Sequence, residues 1–311
     1  MEEQNQILPK KYFQYLQEKL LKFNPQTNEN CLCSGEITDI ISTVIPILEN
    51  EPTLLELSPP INIIGDIHGC FNEMVELLKK TLIPNASYLF LGDYIDRGKF
   101  GIEVMCLLYL FKIQFPNQFF LLRGNHESFS VSSRMGIASF HQQCVNRYSE
   151  IISLHFFNSF NYLPIACLVD HSMLCLHAGI SPDLKNIDQL KKIHRPIEIP
   201  ERGLLFDILW SDPFIPQTNK TDNKTNVDYD GFIPNTNRQC SYFFGQKALD
   251  TFLQQNQLKY LCRGHQVADG FQLSMNNKCI TVFSCPGYGT NNRAGMLVIN
   301  KGFKCQFVYS N

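Results

Sequence analysis

The 311-residue sequence predicts an α/β domain built on a largely parallel sheet that is buried on both faces. Three observations carry that expectation. Short apolar runs at 61–64, 88–91 and 119–122 read as strands without a solvent face, and stretches of helical periodicity at 71–80 and 102–115 separate them. The composition, 44% hydrophobic and 18% charged, suits a sizeable core. No repeat, linker or composition shift divides the chain, so a single domain is expected over residues 31–311, preceded by a helical extension at 1–30.

Each element has a local reason. From about residue 10 to 23, Tyr12, Tyr15, Leu16, Leu20 and Phe23 fall on one helical face. An Asn-rich connector follows. A second helix is expected to start at Ser34 as N-cap, with Glu36 near its positive end and Ile37, Ile40, Ile41 and Val44 inward. Pro46 should kink or end it. The 102–115 segment is apolar nearly all round, hence a buried helix. Residues 163–169 and 173–176 read as a hairpin turning at Asp170-His171, and 217–229 as a mobile polar loop. A helix at 246–257 and strands at 259–262, 278–283, 295–299 and 305–309 complete the expectation.

Bulk properties exclude several classes. A formal net charge of -2 offers no electrostatic case for nucleic acid or a membrane surface. The polar start has no apolar core of a signal peptide, and no run approaches the ~18 apolar residues of a membrane span. The 12 cysteines lack metal-binding spacing and are expected to be reduced, in a cytoplasmic or nuclear setting. Sequons at Asn85, Asn219 and Asn223 are then chance matches.

Chemistry concentrates in three runs: Gly65-Asp66-Ile67-His68-Gly69, Gly92-Asp93-Tyr94-Ile95-Asp96-Arg97-Gly98 and Arg123-Gly124-Asn125-His126-Glu127. Each closes an apolar strand, and strand ends are where ligands collect in open α/β sheets. Asp66 and His68 can reach one divalent metal, as could His265. The two carboxylate oxygens of Asp93 can bridge metals about 3.5–4 Å apart, and Asn125 offers a carbonyl oxygen to the second. His177 also follows an apolar run. Mixed oxygen and imidazole ligands suit Mn, Fe or Zn, and paired metals point to phosphoester hydrolysis. The other four of the eight histidines, His141, His155, His171 and His194, lack this setting.

With Leu176-His177-Ala178-Gly179-Ile180-Ser181-Pro182-Asp183, Leu209-Trp210-Ser211-Asp212-Pro213 and Cys262-Arg263-Gly264-His265-Gln266 added, the chain resembles the phosphoprotein phosphatases. These are metal-dependent serine/threonine phosphatases, and the resemblance is closest to the type 1 catalytic subunits. It covers nearly everything from Cys31 to Tyr309.

The resemblance implies a calcineurin-like metallophosphoesterase fold, a central β-sandwich of mixed sheets flanked by helices. It makes Asp66, His68 and Asp93 ligands of one divalent ion, and Asp93, Asn125, His177 and His265 ligands of a second. Mn2+ is the first expectation, with Fe or Zn as alternatives. It further implies direct attack of a dimetal-bridging hydroxide on phosphoproteins, with His126 as general acid oriented by Asp96. Arg97, Arg238, Asn125 and Tyr288 would bind the substrate phosphate. A loop role for His126, bonded to Glu127, and a salt bridge for Arg97 with Asp96 are the competing accounts. Arg123 is expected to support its loop.

The family also docks regulatory subunits through short Val-x-Phe-like segments. The matching positions here are Met173, Tyr260, Leu273, Phe303, Cys305 and Phe307. This chain departs from the pattern in several places. Cys70 replaces a polar residue, and the 284–293 run is shorter, lacks the reactive cysteine after the tyrosine and carries Arg293 where acidic residues are usual. The loop before Arg238 is longer, and no regulatory tail is expected after Tyr309. Alternative readings are a metallophosphoesterase for phosphodiesters or nucleotide polyphosphates, and a catalytically weak phosphatase serving as a docking module.

Overall fold

The computed structural model describes residues 8–24, 26, 31–80, 86–215, 231–289 and 291–310. The loop expected at 217–229, the three sequons and most of the Asn-rich connector lie outside the described residues.

The first six strands are β1 (Leu54–Leu57), β2 (Ile61–Ile64), β3 (Ser87–Phe90), β4 (Phe119–Leu121), β5 (Ala166–Val169) and β6 (Met173–Leu176). Next come the short β7 (Asp212–Pro213), β8 (Phe232–Pro234) and β9 (Tyr242–Phe244). Then follow β10 (Tyr260–Arg263), β11 (Phe271–Ser274), β12 (Cys279–Val282), β13 (Gly295–Asn300) and β14 (Lys304–Tyr309).

They form two large sheets rather than one, ordered β14-β13-β2-β3-β4 and β1-β5-β6-β10-β12-β11, plus a small sheet β7-β9-β8. The parallel expectation holds for β2, β3 and β4, for β1 with β5, and for β6, β10 and β12. It fails where hairpins reverse the chain, at β5–β6, β11–β12 and β13–β14, and where β13 returns antiparallel beside β2. The mixed sandwich implied by the resemblance is therefore the observed architecture.

Period-2 alternation explains why the strands read as continuously apolar. On β2 and β3, Ile61, Ile63 and Leu89 point between the two sheets, where they meet Cys175, Cys262, Ile280 and Val282. Their neighbours Ile64, Tyr88 and Phe90 point outward, into a core shared with helices Ser34–Glu49, Gly101–Gln114 and Glu150–Phe160. Leu174, Leu176 and Leu261 face a second outer layer built on helices Leu204–Trp210 and Gln246–Gln255. A fully buried Leu or Ile stabilises by about 1.5–3 kcal/mol, so a strand buried on both faces is anchored twice.

Local differences have physical causes. In helix Lys10–Leu21 the buried residues are Phe13, Leu16 and Leu20, whereas Tyr15 is exposed and Tyr12 turns its hydroxyl to Asp39. That face packs into the same core as Ile37 and Leu107. Helix Ser34–Glu49 runs through Pro46 and ends three residues later. Proline so near the C-terminus leaves most of the helical ladder intact. The N-cap is Cys33 instead of Ser34; its backbone N–H donates to Glu36 Oε2 at 2.7 Å, closing a capping box. Helix Gly101–Gln114 is buried almost all round, as expected. No helix among the described residues is long and apolar enough to cross a membrane.

Candidate active site

The ends of β2, β3, β6 and β10 and the turn after β4 converge on one cleft of about 290 Å³. Asp66, His68, Asp93, Arg97, His126, Arg238, His265 and Tyr288 all line it. The chain bends sharply there. His68, Asp93, Asp96, Arg97 and His265 all have positive φ, between 43° and 68°. That conformation costs a non-glycine residue roughly 1–2 kcal/mol, strain typical of a functional site. Two glycines allow the close approach: a Cβ on Gly124 would lie 2.3 Å from Asp93 Oδ1, and one on Gly264 2.3 Å from Asp66 Oδ1.

Six side chains form the polar heart, all buried: Asp66, His68, Asp93, Asn125, His177 and His265. His177 Nε2 lies 2.9 Å from Asn125 Oδ1, 3.2 Å from His265 Nδ1 and 3.3 Å from Asp93 Oδ1. His68 Nε2 lies 3.8 Å from Asp66 Oδ2 and 3.7 Å from Asp93 Oδ2. Asp93 thus stands between two groups, one on each carboxylate oxygen.

Tautomers sharpen the picture. His177 Nδ1 faces the carbonyl of Leu91 at 2.9 Å, and His68 Nδ1 faces that of Ile95 at 2.8 Å. A carbonyl only accepts, so both Nδ1 atoms carry the proton. In the neutral rings each Nε2 is then a lone pair aimed at carboxylate and amide oxygens. Such acceptor-against-acceptor crowding is relieved by a cation, and carbonyl-fixed imidazoles are the usual support of metal-ligating histidines. The donor set fits divalent metal at two adjacent positions.

Electrostatics agrees. Burial, then the neighbouring Asp93, pushes Asp66 up to about 7. Burial alone would lower His177, but Asp93 outweighs it and holds the ring above its ordinary value. Burial depresses His68 to about 4, with His126 adding to the effect. Burial, then Arg238, drives His265 well below the imidazole range. Asp93 is held well below the carboxylate range: His177 and His126 overcome its burial. Without a cation the cluster therefore retains protons that a cation would displace.

Beside the cluster, His126 Nδ1 lies 2.7 Å from Asp96 Oδ2. Asp96 is fully buried, and its other oxygen accepts from Ser132 Oγ at 2.6 Å and the Phe140 N–H at 2.7 Å. Glu127 does not take the His126 ring. Its carboxylate accepts the backbone N–H groups of Asp93, Tyr94 and Gly124 instead, fixing the Asp93 turn. Arg123, fully buried, donates to Glu127 O and Asn161 Oδ1, the loop support expected of it.

The guanidinium of Arg97 lies 5.0 Å from the Tyr288 ring centroid, while the Asp96 oxygens face His126, Ser132 and the Phe140 N–H. Tyr288 in turn stacks on His68 at 5.1 Å. Arg238 Nε donates to Asp212 Oδ2 at 2.9 Å, and an Nη donates to His265 O at 3.0 Å, aligning it at the cleft wall.

Three supporting residues received no role from the sequence. Glu127 holds the Asp93 turn, and buried Asp212 joins Arg238, Arg263 and Asn235. Arg263 ties that group to Ala178 O at 2.6 Å. Each lies inside a quoted motif, a signal that could have found them. His141 bonds Ser153 Oγ and His171 sits in the hairpin turn, apart from the cleft.

The calcineurin-like phosphoesterase family matches residues 59–269. A serine/threonine phosphatase from Saccharomyces cerevisiae with similarity to human phosphatase PP5 superposes with a TM-score of 0.79 at 30% identity. That match covers 89% of this chain and 90% of that one. A cold-active protein-tyrosine phosphatase from a psychrophilic Shewanella shares the fold, with a TM-score of 0.58 at 16% identity over 84% of each chain.

Proposed function

The chain belongs to the calcineurin-like phosphoesterase family, and from that premise we propose that it is a metal-dependent serine/threonine protein phosphatase. The observation that carries this reading is the His126–Asp96 pair set directly against the Asp/His/Asn cluster. Identity of 30% to a serine/threonine phosphatase over nearly the whole chain supports it.

Asp66, His68 and Asp93 would hold one divalent ion, and Asp93, Asn125, His177 and His265 the other, with Mn2+ the first choice and Fe or Zn the alternatives. Bound there, the ions would lower the pKa of a shared water toward ~7, supplying a nucleophile at neutral pH and offsetting phosphate charge. His126 could itself count as a ligand, because its ring, His68 and Asp93 have donor atoms within 4.8 Å of one another. Its Nδ1 is committed to Asp96, however, and that arrangement suits proton transfer.

The chain's own residues then divide the work. Arg97 and Arg238 grip phosphate oxygens with planar, multidentate guanidinium groups. Asn125 and the Tyr288 hydroxyl orient the remaining oxygens. Burial opposes a charged His126, but Asp93 and then Asp96 outweigh it and hold the ring above its ordinary value. That surrounding charge favours the protonated ring, and His126 delivers its proton to the departing serine or threonine oxygen. That step typically contributes 10²–10⁴-fold.

Docked regulatory subunits with Val-x-Phe-like segments form part of the proposal. β11 and β14 are outer strands of the two large sheets. Leu273 and Cys305 on them are exposed, and Tyr260 stacks on Phe303 and Phe271 on Phe307. Met173 is completely buried in the inter-sheet core, so it supports such a surface without lining it. The 12 free cysteines favour a reducing cytoplasmic or nuclear setting.

Metal-loaded protein should hydrolyse phosphoserine and phosphothreonine peptides. Failure to do so, with two metals bound per chain, would remove the proposal.

A further inference from the structure

Two cysteines at the rim of the cleft stand in an arrangement that the phosphatase reading does not use. Cys70 Sγ and Cys285 Sγ are 2.9 Å apart, although 215 residues separate them in sequence. Both are held by backbone structure. The Cys70 N–H donates to Ile67 O at 2.9 Å, closing the turn that carries His68. Ser284, next to Cys285, donates its N–H to Asp66 O, and its Oγ accepts from Gly65 N and donates to Gly295 O. The two sulfurs therefore meet across segments already hydrogen-bonded to one another, and forming a bond asks for little backbone movement.

Accessibility singles out this pair. Cys175 and Cys262 are register partners on adjacent strands, but both are fully buried between the sheets, closed to an oxidant in solution. Cys285 is buried, whereas Cys70 is partly exposed and opens the way for a small oxidant. Disulfides of this partly exposed, reversible kind are the regulatory ones in reducing compartments.

We propose that Cys70 and Cys285 form a reversible disulfide under hydroperoxide stress, making this rim a redox modification site. The Cys70 sulfur attacks the peroxide, its O–O bond breaks, and a sulfenic acid forms as water leaves. The Cys285 sulfur then attacks that sulfenic sulfur, forming the S–S bond and releasing a second water. Two thiols lose two electrons and two protons, and one hydrogen peroxide becomes two waters.

The consequence lies in the loop. Residues 284–289 and 291–293 fold around Asn292, whose Oδ1 accepts the Tyr288 N–H and whose Nδ2 donates to Cys285 O, each at 2.8 Å. A bridge at Cys285 pins that loop, and with it Tyr288, to the turn bearing His68. The bond itself does not depend on the phosphatase reading, so a chemical readout tests it separately.

Full-length protein is treated with substoichiometric hydrogen peroxide, alkylated without reductant, digested and mapped by mass spectrometry. The expected result is a cross-linked peptide pair containing Cys70 and Cys285, formed at least tenfold faster than any other disulfide and reversed by dithiothreitol. Cys70→Ser and Cys285→Ser should each abolish it, and Cys33→Ser should leave it intact. In the wild type, Cys285 recovered as a free alkylated thiol while Cys70 advances to sulfinic acid would overturn the proposal. Equal yields of disulfides elsewhere would overturn it too.

Discussion

The Nδ1 atom of His126 lies 2.7 Å from Oδ2 of Asp96, a carboxylate whose other oxygen is held by Ser132 and the backbone of Phe140. Asp96 is therefore locked in place before it orients the ring. His126→Asn should lower kcat by roughly 10²–10⁴-fold, the usual share of a positioned acid. Metal content by elemental analysis should stay unchanged. Asp93→Asn should instead lose metal, since Asp93 stands between both groups of ligands.

The pH profile follows from the same pair. Asp93 and Asp96 together raise the His126 pKa against its burial. The proton donor is present below that pKa and lost as pH rises through it, giving kcat a falling alkaline limb. Asp96→Asn removes one of the raising charges, so that limb should move to lower pH. A limb that stays in place would show that another group titrates.

Metal binding should itself depend on pH. Asp66, raised to about 7, and His177, raised above its ordinary value, must give up protons to become ligands. Affinity should rise as pH climbs through about 7 and fall below it. Titration calorimetry in buffers of different ionisation enthalpy should detect proton release on loading at pH 6. The absence of release would contradict the assignment.

The single tryptophan offers a local probe. Trp210 meets the His265 ring edge to face, with centroids 5.8 Å apart. Its fluorescence should change as metal is added, saturating with the calorimetric isotherm, and His265→Ala should abolish the response.

One stability prediction lies far from the cleft. Lys19 Nζ lies 2.9 Å from both carboxylate oxygens of Glu36, joining the first two helices, while Glu36 also caps Cys33 N–H. Burial opposes a charged Glu36, but Lys19 and the Cys33 N–H outweigh it and lower its pKa. A lowered carboxylate contributes stability above its unfolded value of ~4.3, and that contribution is lost as pH falls through the lower folded value. Glu36→Gln should cost about 1 kcal/mol at pH 7 and flatten the acid side of a thermal-melt profile.

Much of the site was legible because Asp66, Asp93, Asn125, His126, His177 and His265 follow buried apolar strands, whereas Arg238, after the poorly buried β8, rested on the resemblance alone. Ile61 to Ile64 points to Asp66, and Phe119 to Leu121 points to Asn125 and His126. Side chains that act through folding were less visible. Asp212 and Arg263 lie far apart in sequence and meet only once β10 closes beside β6. One sheet was expected because period-2 alternation vanishes when both faces are apolar. Ile63 and Ile64 look alike in sequence, yet one faces the opposite sheet and the other the helices. Strands β1 and β11 went unread because an exposed polar residue, Glu56 in one and Gln272 in the other, interrupts each apolar run.

The most direct measurement is initial hydrolysis rate on a matched panel of phosphoserine, phosphothreonine and phosphotyrosine peptides and nucleotide polyphosphates. Wild type and His126→Asn would each be verified to carry two metals. We expect phosphoserine and phosphothreonine turnover by the wild type, lost by about 10²-fold or more in the variant. Turnover confined to nucleotides, or equal rates for the two proteins, would contradict the account.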